Sequence, residues 1–274
     1  MRWLVIGGGG MAGHMIVDYL QKRGAGEIFF TAREKRPKGA LLLDVRDAAA
    51  TEALIRCAKP DIIVNCAGLL KEEAERNAAD AFEINGLLPH RLRRAADRAG
   101  ARLIQISTDC VFSGERGDYT ERDAPDGRTV YARSKTLGEI VDHPHVTVRT
   151  SFIGPEIRSR GIGLFKWFME SRGTVKGYSN VWWNGVTTLE LARAVEFLAG
   201  RPVSGLVHLH APRKITKCQL LQLISEIFGK RDVEIVPDGA FKLDRTLVST
   251  RPDFPCRAPD YPAMLRELRD WMSD

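Results

Sequence analysis

A short apolar segment followed by a cluster of glycines opens the chain and constrains its fold more than any other feature. Residues 3–6 are apolar, residues 7–10 are four consecutive glycines, and residues 14–20 read as a helix. A strand, a glycine turn and a helix in this order are typical of a dinucleotide-binding site, because glycine lets the backbone approach a pyrophosphate at the helix N-terminus. Two spacings fit, Gly7–Gly10–Gly13 and Gly8–Gly10–Gly13, and the glycines alone do not choose between them.

Strand and helix patterns alternate through the first half of the chain. Further apolar runs lie at residues 27–31, 41–45, 61–65, 104–106 and 145–151, and residues 78–100 are strongly helical. This alternation predicts a parallel sheet with right-handed crossovers. The predicted fold class is α/β, with a Rossmann-type doubly wound parallel sheet in a domain at residues 1–151.

The pattern changes after Ser151 and predicts a smaller α+β substrate-binding region at residues 152–274, which could give the sheet a late strand. The elements predicted there are helices near 161–172, 188–198, 217–228 and 262–272, an aromatic turn at 182–185 and a strand at 205–210. Thr187 or Thr188 is a candidate cap for the second of these helices. His208 and His210 alternate on the predicted strand, and we expect them to be core and surface residues, not metal ligands.

Composition excludes several classes of protein. The 274 residues contain no apolar run near the roughly 18 residues of a membrane span. Five scattered cysteines without a C-x-x-C pair favour reduced thiols, a cytoplasmic location and no metal site. The net charge is +6, but the basic residues form no run or aromatic-spaced patch, so we expect no nucleic-acid partner. A site for phosphorylated small molecules also uses positive charge.

The end of the second predicted strand bears on the choice of cofactor. An acidic residue there would bind the ribose 2′-hydroxyl of NAD. This chain has Thr31, then Arg33, Lys35 and Arg36, and no acid at the expected strand end. The cations favour a 2′-phosphate, so NADP(H) is the preferred cofactor, with NAD(H) left open and Arg33 as the selecting residue.

A hydroxyl, a tyrosine and a lysine form the candidate catalytic group. Thr108 and Asp109 follow an apolar run, and Tyr131 and Lys135 are four residues apart on one helix face. A nearby ammonium lowers the pKa of a phenol from about 10, which makes Tyr131 a usable proton donor. Thr108 could polarise the same substrate oxygen. Taken alone, the tyrosine and lysine could equally be surface residues of an amphipathic helix.

Other strand ends supply candidate cofactor contacts. Asp44 ends an apolar run, where its carboxylate could receive the adenine amino group. Cys66, Ala67 and Gly68 form a small-residue turn that would let a cofactor pass over the strand ends. Asn85 lies in an otherwise apolar and basic helix, and we expect it to tie neighbouring backbone together, because a buried amide needs partners.

With these residues in hand, the chain resembles the extended short-chain dehydrogenases/reductases, and within them the dTDP-4-dehydrorhamnose reductase branch. The residues that carry the resemblance are Gly7/Gly10/Gly13, Leu43-Asp44-Val45, Asn65-Cys66-Ala67, Asn85, Ser107-Thr108-Asp109 with Val111-Phe112, Tyr131/Lys135, Arg149-Thr150-Ser151 and Arg251-Pro252. The chain departs from that branch at Cys110, at 68–71 and at 178–185, where sugar and base should lie.

The resemblance implies NAD(P)H at the carboxyl edge of the sheet and a nucleotide-diphosphate sugar between the two regions. The implied catalytic residues are Thr108, Tyr131 and Lys135. The implied cofactor contacts are Gly7, Gly10, Met11, Gly13, Arg33, Asp44, Val45, Cys66, Ala67, Gly68, Tyr131 and Lys135. The substrate candidates are Thr108, Asp109, Trp183 and Arg251, with Arg245 as a second arginine for the diphosphate, since arginine binds phosphate bidentately.

The function that these residues predict is NAD(P)H-dependent reduction of a 4-keto-6-deoxy nucleotide-diphosphate sugar in deoxysugar and polysaccharide biosynthesis. One alternative is a nucleotide-sugar epimerase that recycles its cofactor in place. A dehydratase is disfavoured, because Asp109 is followed by Cys110 and not by the usual glutamate. Another alternative is a non-catalytic, cofactor-binding regulatory subunit, and a homodimer is left open.

Overall fold

Seven parallel strands form the central sheet in the computed structural model, which describes residues 1–34, 37–157, 161, 163–255 and 258–273. The strands are β1 (Arg2–Ile6), β2 (Glu27–Ala32), β3 (Leu41–Leu42), β4 (Ile62–Asn65), β5 (Arg102–Ile106), β6 (Val146–Arg149) and β10 (Gly205–His208). Their order in the sheet is β10-β6-β5-β4-β1-β2-β3. The predicted doubly wound α/β fold is therefore confirmed, and β10 is the late strand from the second half of the chain.

Helices cover both faces of this sheet. They are α1 (Met11–Lys22), α2 (Ala48–Ala58), α3 (Lys71–Arg76), α4 (Ala78–Ala81), α5 (Leu88–Ala99), α6 (Val130–Leu137), α7 (Leu164–Glu170), α8 (Thr188–Ala199), α9 (Lys217–Ile227) and α10 (Tyr261–Ser273). Alternation along β1 shows the two layers: Trp3 and Val5 join one buried cluster with α1 and α8, and Leu4 and Ile6 join another with α2 and α5. Such two-sided burial requires the nearly continuous apolar strands seen in the sequence.

The predicted helix at 78–100 is divided into three parts. A π-helical segment, Phe82–Leu87, lies between α4 and α5. Pro89 has no N–H with which to continue the regular ladder to the Asn85 carbonyl. The buried Asn85 amide accepts from Leu69 N at 2.9 Å and donates to Leu69 O at 3.0 Å. The expected role of Asn85 in tying backbone together is confirmed.

Two small sheets complete the C-terminal half. One contains β11 (Ile215–Thr216), β8 (Gly173–Trp183) and β12 (Val233–Asp244), and the other pairs β7 (Phe152–Ile153) with β9 (Val186–Thr187). The predicted aromatic turn is wrong at Trp182 and Trp183. Both residues end β8, because they pair with β11 on one side and Trp182 also pairs with β12 on the other.

The remaining C-terminal helices agree with the sequence pattern, with one shortened. Residue 162 of the predicted helix at 161–172 lies outside the described residues, and α7 begins at Leu164. Thr187 caps α8 by accepting from Glu190 N at 3.3 Å. One apolar cluster runs from β1 through α8 to α10, so the two halves share a core, and a domain boundary at 151/152 stays a prediction. No helix in the described ranges is long and apolar enough to cross a membrane.

Candidate active site

A cleft runs along the carboxyl edge of the parallel sheet and collects most of the predicted site residues. Strands β1, β2, β4 and β5 all end at this edge, since they run in the same direction. The predicted residues that line the cleft are Gly7, Gly10, Met11, Arg33, Asp44, Val45, Cys66, Ala67, Gly68, Thr108, Asp109, Tyr131 and Lys135. Gly13, Trp183 and Arg251 are not among its lining residues.

The glycine turn between β1 and α1 has the spacing of Gly7, Gly10 and Gly13. Gly7 has φ +82°, a left-handed conformation that favours glycine, and a Cβ there would lie 2.8 Å from Ala67 N. A Cβ on Gly13 would lie 2.2 Å from Gly7 O, so residue 13 must lack a side chain for α1 to reach the turn. Gly10 is the N-cap of α1 and donates its N–H to Gly7 O at 3.0 Å. Gly13 thus allows α1 to pack against the glycine turn, although it does not itself line the cleft.

Charged residues mark the end of the cleft at β2 and β3. Arg33 is exposed on the cleft rim, one residue beyond β2. Arg46 donates to Asp44 at 2.6 Å and also reaches Asp80 at 3.3 Å. This pairing, with a smaller contribution from Arg33, lowers the pKa of Asp44 to about 2, so the carboxylate is ionised. Lys35 and Arg36, which formed part of the cofactor prediction, lie outside the described residues.

Thr108 and Tyr131 meet at the centre of the cleft. Thr108 follows β5 by two residues, and its hydroxyl donates to the Asp109 carboxylate at 3.2 Å and accepts from Cys110 N at 3.1 Å. Tyr131 is in the first turn of α6, where Thr129 caps the helix by accepting from Ala132 N at 3.1 Å. Burial raises the pKa of the Tyr131 phenol above its usual range, and a hydrogen bond with the Thr108 side chain acts in the opposite direction.

Lys135 lies one helical turn beyond Tyr131 and is buried. Its ammonium donates to Ile106 O at 2.7 Å. Burial lowers the pKa of Lys135 to about 8, against the raising effect of Glu139. The sequence predicted that Lys135 lowers the pKa of Tyr131. That direction is wrong for this structure, because burial dominates at the phenol and Lys135 is not among the groups that shift it.

A buried ion pair lies behind Lys135. Arg149 donates to the Glu139 carboxylate through Nε and Nη2, each at 2.7 Å, and the two side chains are only 3% and 8% exposed. Ser107 Oγ donates to the same carboxylate at 2.9 Å. The pair therefore joins the end of α6 to β6 and to the residue that precedes Thr108.

Two of the predicted substrate-binding residues, Trp183 and Arg251, do not line the cleft. Trp183 is buried behind the cleft and donates from its indole nitrogen to Ser151 Oγ at 2.8 Å, and Ser151 itself lines the cleft. Arg251 is bound away from it, to the Leu206 and Ser204 carbonyls at 2.9 Å each and to Asp253 at 2.6 Å. These contacts favour a structural role for Arg251, and its part in substrate binding stays a prediction.

Arg245, the second candidate for the diphosphate, is not among the residues that line the cleft. Its Nε donates to Phe112 O at 2.8 Å, and Nη1 lies 3.5 Å from Cys110 Sγ.

Three cations that line the cleft were not predicted from the sequence: Arg46, which pairs with Asp44, and two lysines. Lys71 is the first residue of α3, and Lys217 is the first residue of α9. The one available signal was the capping box of Thr216 and Gln219, which marks the start of a helix at Lys217. The capping box predicts where the helix begins, but it does not predict that the Lys217 side chain lies in the cleft.

Metal ligation finds no support among the residues that the structure describes, where no three His, Cys, Asp or Glu side chains are grouped to hold an ion. His208 is fully buried, as expected of a core residue, and its Nδ1 lies 3.1 Å from Tyr119 O. His210 is partly exposed and lies 3.1 Å from Ser249 N.

A doubly wound parallel sheet with a glycine turn and a Tyr131/Lys135 pair at one edge defines an extended short-chain dehydrogenase/reductase. Within this class, residues 1–242 match the model of the RmlD substrate binding domain family, and the chain belongs to that family. The dTDP-4-dehydrorhamnose reductase of Streptomyces griseus is 30% identical, over 98% of this chain and 90% of that protein.

Solved structures agree on the fold. A hypothetical dTDP-4-dehydrorhamnose reductase from Sulfolobus tokodaii has a TM-score of 0.77 at 25% identity, over 90% of this chain and 92% of that one. The Bacillus anthracis dTDP-4-dehydrorhamnose reductase in complex with NADP has a TM-score of 0.85 at 20% identity, over 98% and 99% of the two chains. At 20% identity, this similarity supports the fold and not the function.

Proposed function

We propose that this protein is an NADPH-dependent reductase of a 4-keto-6-deoxy nucleotide-diphosphate sugar in deoxysugar and polysaccharide biosynthesis. The observation that carries the proposal is the single cleft that contains the glycine turn together with Thr108, Tyr131 and Lys135. The name of the Streptomyces griseus relative supports the substrate class. A second Streptomyces relative, named dTDP-4-keto-6-deoxy-D-glucose reductase, is 26% identical over 83% of this chain.

The residues at the β1–α1 turn fit a dinucleotide. A Cβ at residue 7 or 13 would collide with neighbouring backbone, so these glycines permit the tight turn that presents the N-terminus of α1 to a pyrophosphate. When bound, a reduced nicotinamide supplies hydride to a carbonyl carbon. Arg33 on the rim beyond β2 supports NADPH over NADH, because its guanidinium suits a 2′-phosphate.

The side chains at the centre of the cleft supply the proton. The Tyr131 phenol, whose pKa is raised by burial, stays protonated near neutrality and can give its proton to the substrate oxygen as that oxygen gains charge. Thr108 hydrogen-bonds the same oxygen. Lys135, one helical turn from Tyr131, holds the nicotinamide ribose in this proposal.

A screen of nucleotide sugars for NADPH oxidation tests the proposal. We expect a 4-keto-6-deoxy nucleotide-diphosphate sugar to oxidise one equivalent of NADPH and to leave a 4-hydroxy sugar as product. An epimerase would change the sugar without net NADPH oxidation, and a regulatory subunit would do neither. Failure of every 4-keto-6-deoxy substrate with a protein that binds NADPH would contradict the proposal.

The location and assembly of the protein are separate proposals. The described cysteines, Cys57, Cys66, Cys110 and Cys218, are free thiols, which supports a reducing cytoplasmic setting, and Cys256 lies outside the described residues. A homodimer also stays a prediction, and sedimentation equilibrium of the purified protein would test it.

A further inference from the structure

Five basic residues line the cleft, and they differ in position and in whether an acidic side chain pairs with them. Arg33 and Arg46 lie towards β2 and β3, and Lys135 lies at the catalytic centre. The remaining two, Lys71 and Lys217, lie near Cys110, and Lys71 is close enough to lower the pKa of Lys217. Across the residues described, no carboxylate lies within ion-pair distance of either ammonium. Among the described residues, these two ammonium groups therefore have no ion-pair partner and are available to a bound anion.

Lys217 is held in place by an aromatic ring. Its ammonium lies 4.3 Å from the centroid of the Trp183 ring, a distance at which the ring attracts a cation. The ring is itself fixed, because the Trp183 indole nitrogen donates to Ser151 Oγ at 2.8 Å and the Trp183 carbonyl accepts from Tyr261 Oη at 3.2 Å. The charge is thus presented to the cleft on a rigid support and not on a free chain.

The surroundings of Lys217 disfavour its charge while the cleft contains no anion. Burial lowers the pKa of Lys217 to about 7, Lys71 acts in the same direction, and Asp109 and Cys110 act in the opposite one. The Asp109 carboxylate already accepts from the Thr108 hydroxyl at 3.2 Å. An anion bound between Lys217 and Lys71 would relieve their repulsion and stabilise both charges.

Lys214, three residues before Lys217, differs from it in having acidic partners. It also lies over an aromatic ring, 5.7 Å from the centroid of Trp182, but it is paired with Asp118 at 3.0 Å and Asp244 at 3.2 Å. It does not line the cleft. The two lysines therefore share a ring contact and a sequence neighbourhood, and only Lys217 has no acidic partner.

We infer that Lys217 binds the diphosphate of the nucleotide-sugar substrate and so selects substrates that carry a diphosphate beside the reacting sugar. The inference rests on the proposed function for the identity of that anion. Lys217 lies near Asp109 and Cys110, which adjoin Thr108, so a diphosphate held there would leave the sugar facing Thr108 and Tyr131. In this inference Lys217, and not Arg251, is the cation that contacts the diphosphate.

Calorimetric titration with dTDP and UDP tests the inference without turnover. We expect the wild type to bind at least one of them, K217Q to bind it at least tenfold more weakly, and K214Q to match the wild type within twofold. NADPH affinity should be unchanged in both variants, which also shows that they fold. K217R should restore diphosphate binding to within threefold, because it keeps the charge.

Three results would overturn the inference: a wild type that binds neither diphosphate, a K217Q variant with unchanged affinity, or equal losses in K217R and K217Q, which would assign the effect to packing on Trp183. The result is separable from the proposed function. Lys217-dependent binding of dTDP without any NADPH oxidation would contradict the reductase alone. Normal turnover with unchanged dTDP affinity in K217Q would contradict this inference alone.

Discussion

Replacing Glu139 by Gln removes the charge from a carboxylate that three donors hold in the interior. Two nitrogens of Arg149 donate to it at 2.7 Å, and Ser107 Oγ donates at 2.9 Å. Because Arg149 is only 3% exposed, the variant leaves a guanidinium without its counter-charge and out of reach of water. Removal of one partner from a buried pair costs about 3–5 kcal/mol of unfolding free energy.

Urea denaturation followed by tryptophan fluorescence measures this loss. Glu27→Gln is the matched control, because Glu27 pairs with Arg2 at 2.9 Å while the two side chains are 57% and 38% exposed. An exposed pair is worth about 0–1 kcal/mol. A Glu139→Gln variant that loses no more stability than this control would refute the reasoning, since burial would then add nothing to the pair.

The same variant should shift the pH dependence of turnover. Glu139 raises the pKa of Lys135, which burial lowers to about 8. Without that carboxylate the pKa falls further, so Lys135 loses its proton at a lower pH. We expect the alkaline decline of turnover to begin at a lower pH in Glu139→Gln than in the wild type.

Three further predictions concern the cofactor and the substrate. Arg33→Asp should weaken NADPH binding more than tenfold and NADH binding far less; equal affinities of the wild type for both cofactors would show that Arg33 does not select. Gly13→Ala should abolish cofactor binding, because its Cβ would lie 2.2 Å from Gly7 O, and Gly200→Ala, whose nearest contact is 3.9 Å away, should bind normally. Affinity for dTDP should fall as the pH rises through about 7, where free Lys217 loses its proton, and this fall should be absent from K217Q in calorimetry across that range.

Local patterns in the sequence were sufficient for the sheet and for the glycine turn. The apolar runs that became β1, β4 and β6 are short, continuous and separated by helix patterns, so each specifies its element without help from distant residues. Gly13 could also be predicted as part of the glycine motif. The atom that excludes a side chain there, Gly7 O, is only six residues away in the sequence.

The C-terminal half depended on contacts between distant segments. Trp182 and Trp183 read as a turn because Asn184 and Gly185 follow them, but pairing with β11 extends β8 to Trp183. The sequence analysis assigned no element to β12, whose run contains Pro237 and Gly239, and its pairing with β8 maintains the strand across a bulge after Asp238. Neither pairing can be deduced from spacing within one segment.

The electrostatics of the site were the least predictable from sequence. The spacing of Tyr131 and Lys135 places both on one helix face, but the pKa of the phenol depends on how deeply the fold buries it. Likewise, Arg251 is an arginine beside a proline near the end of the chain, and nothing local shows that carbonyls and Asp253 occupy its guanidinium.

Single-turnover hydride transfer in Tyr131→Phe, with saturating NADPH and a 4-keto-6-deoxy nucleotide sugar, tests the central claim most directly. The variant keeps the ring beside Thr108 and removes only the proton, so cofactor affinity should stay at the wild-type value. Positioned acid catalysis is worth roughly 10² to 10⁴ in rate, and we expect the transfer to slow by that factor. A rate within threefold of the wild type would make Tyr131 an ordinary cleft residue and would contradict the account.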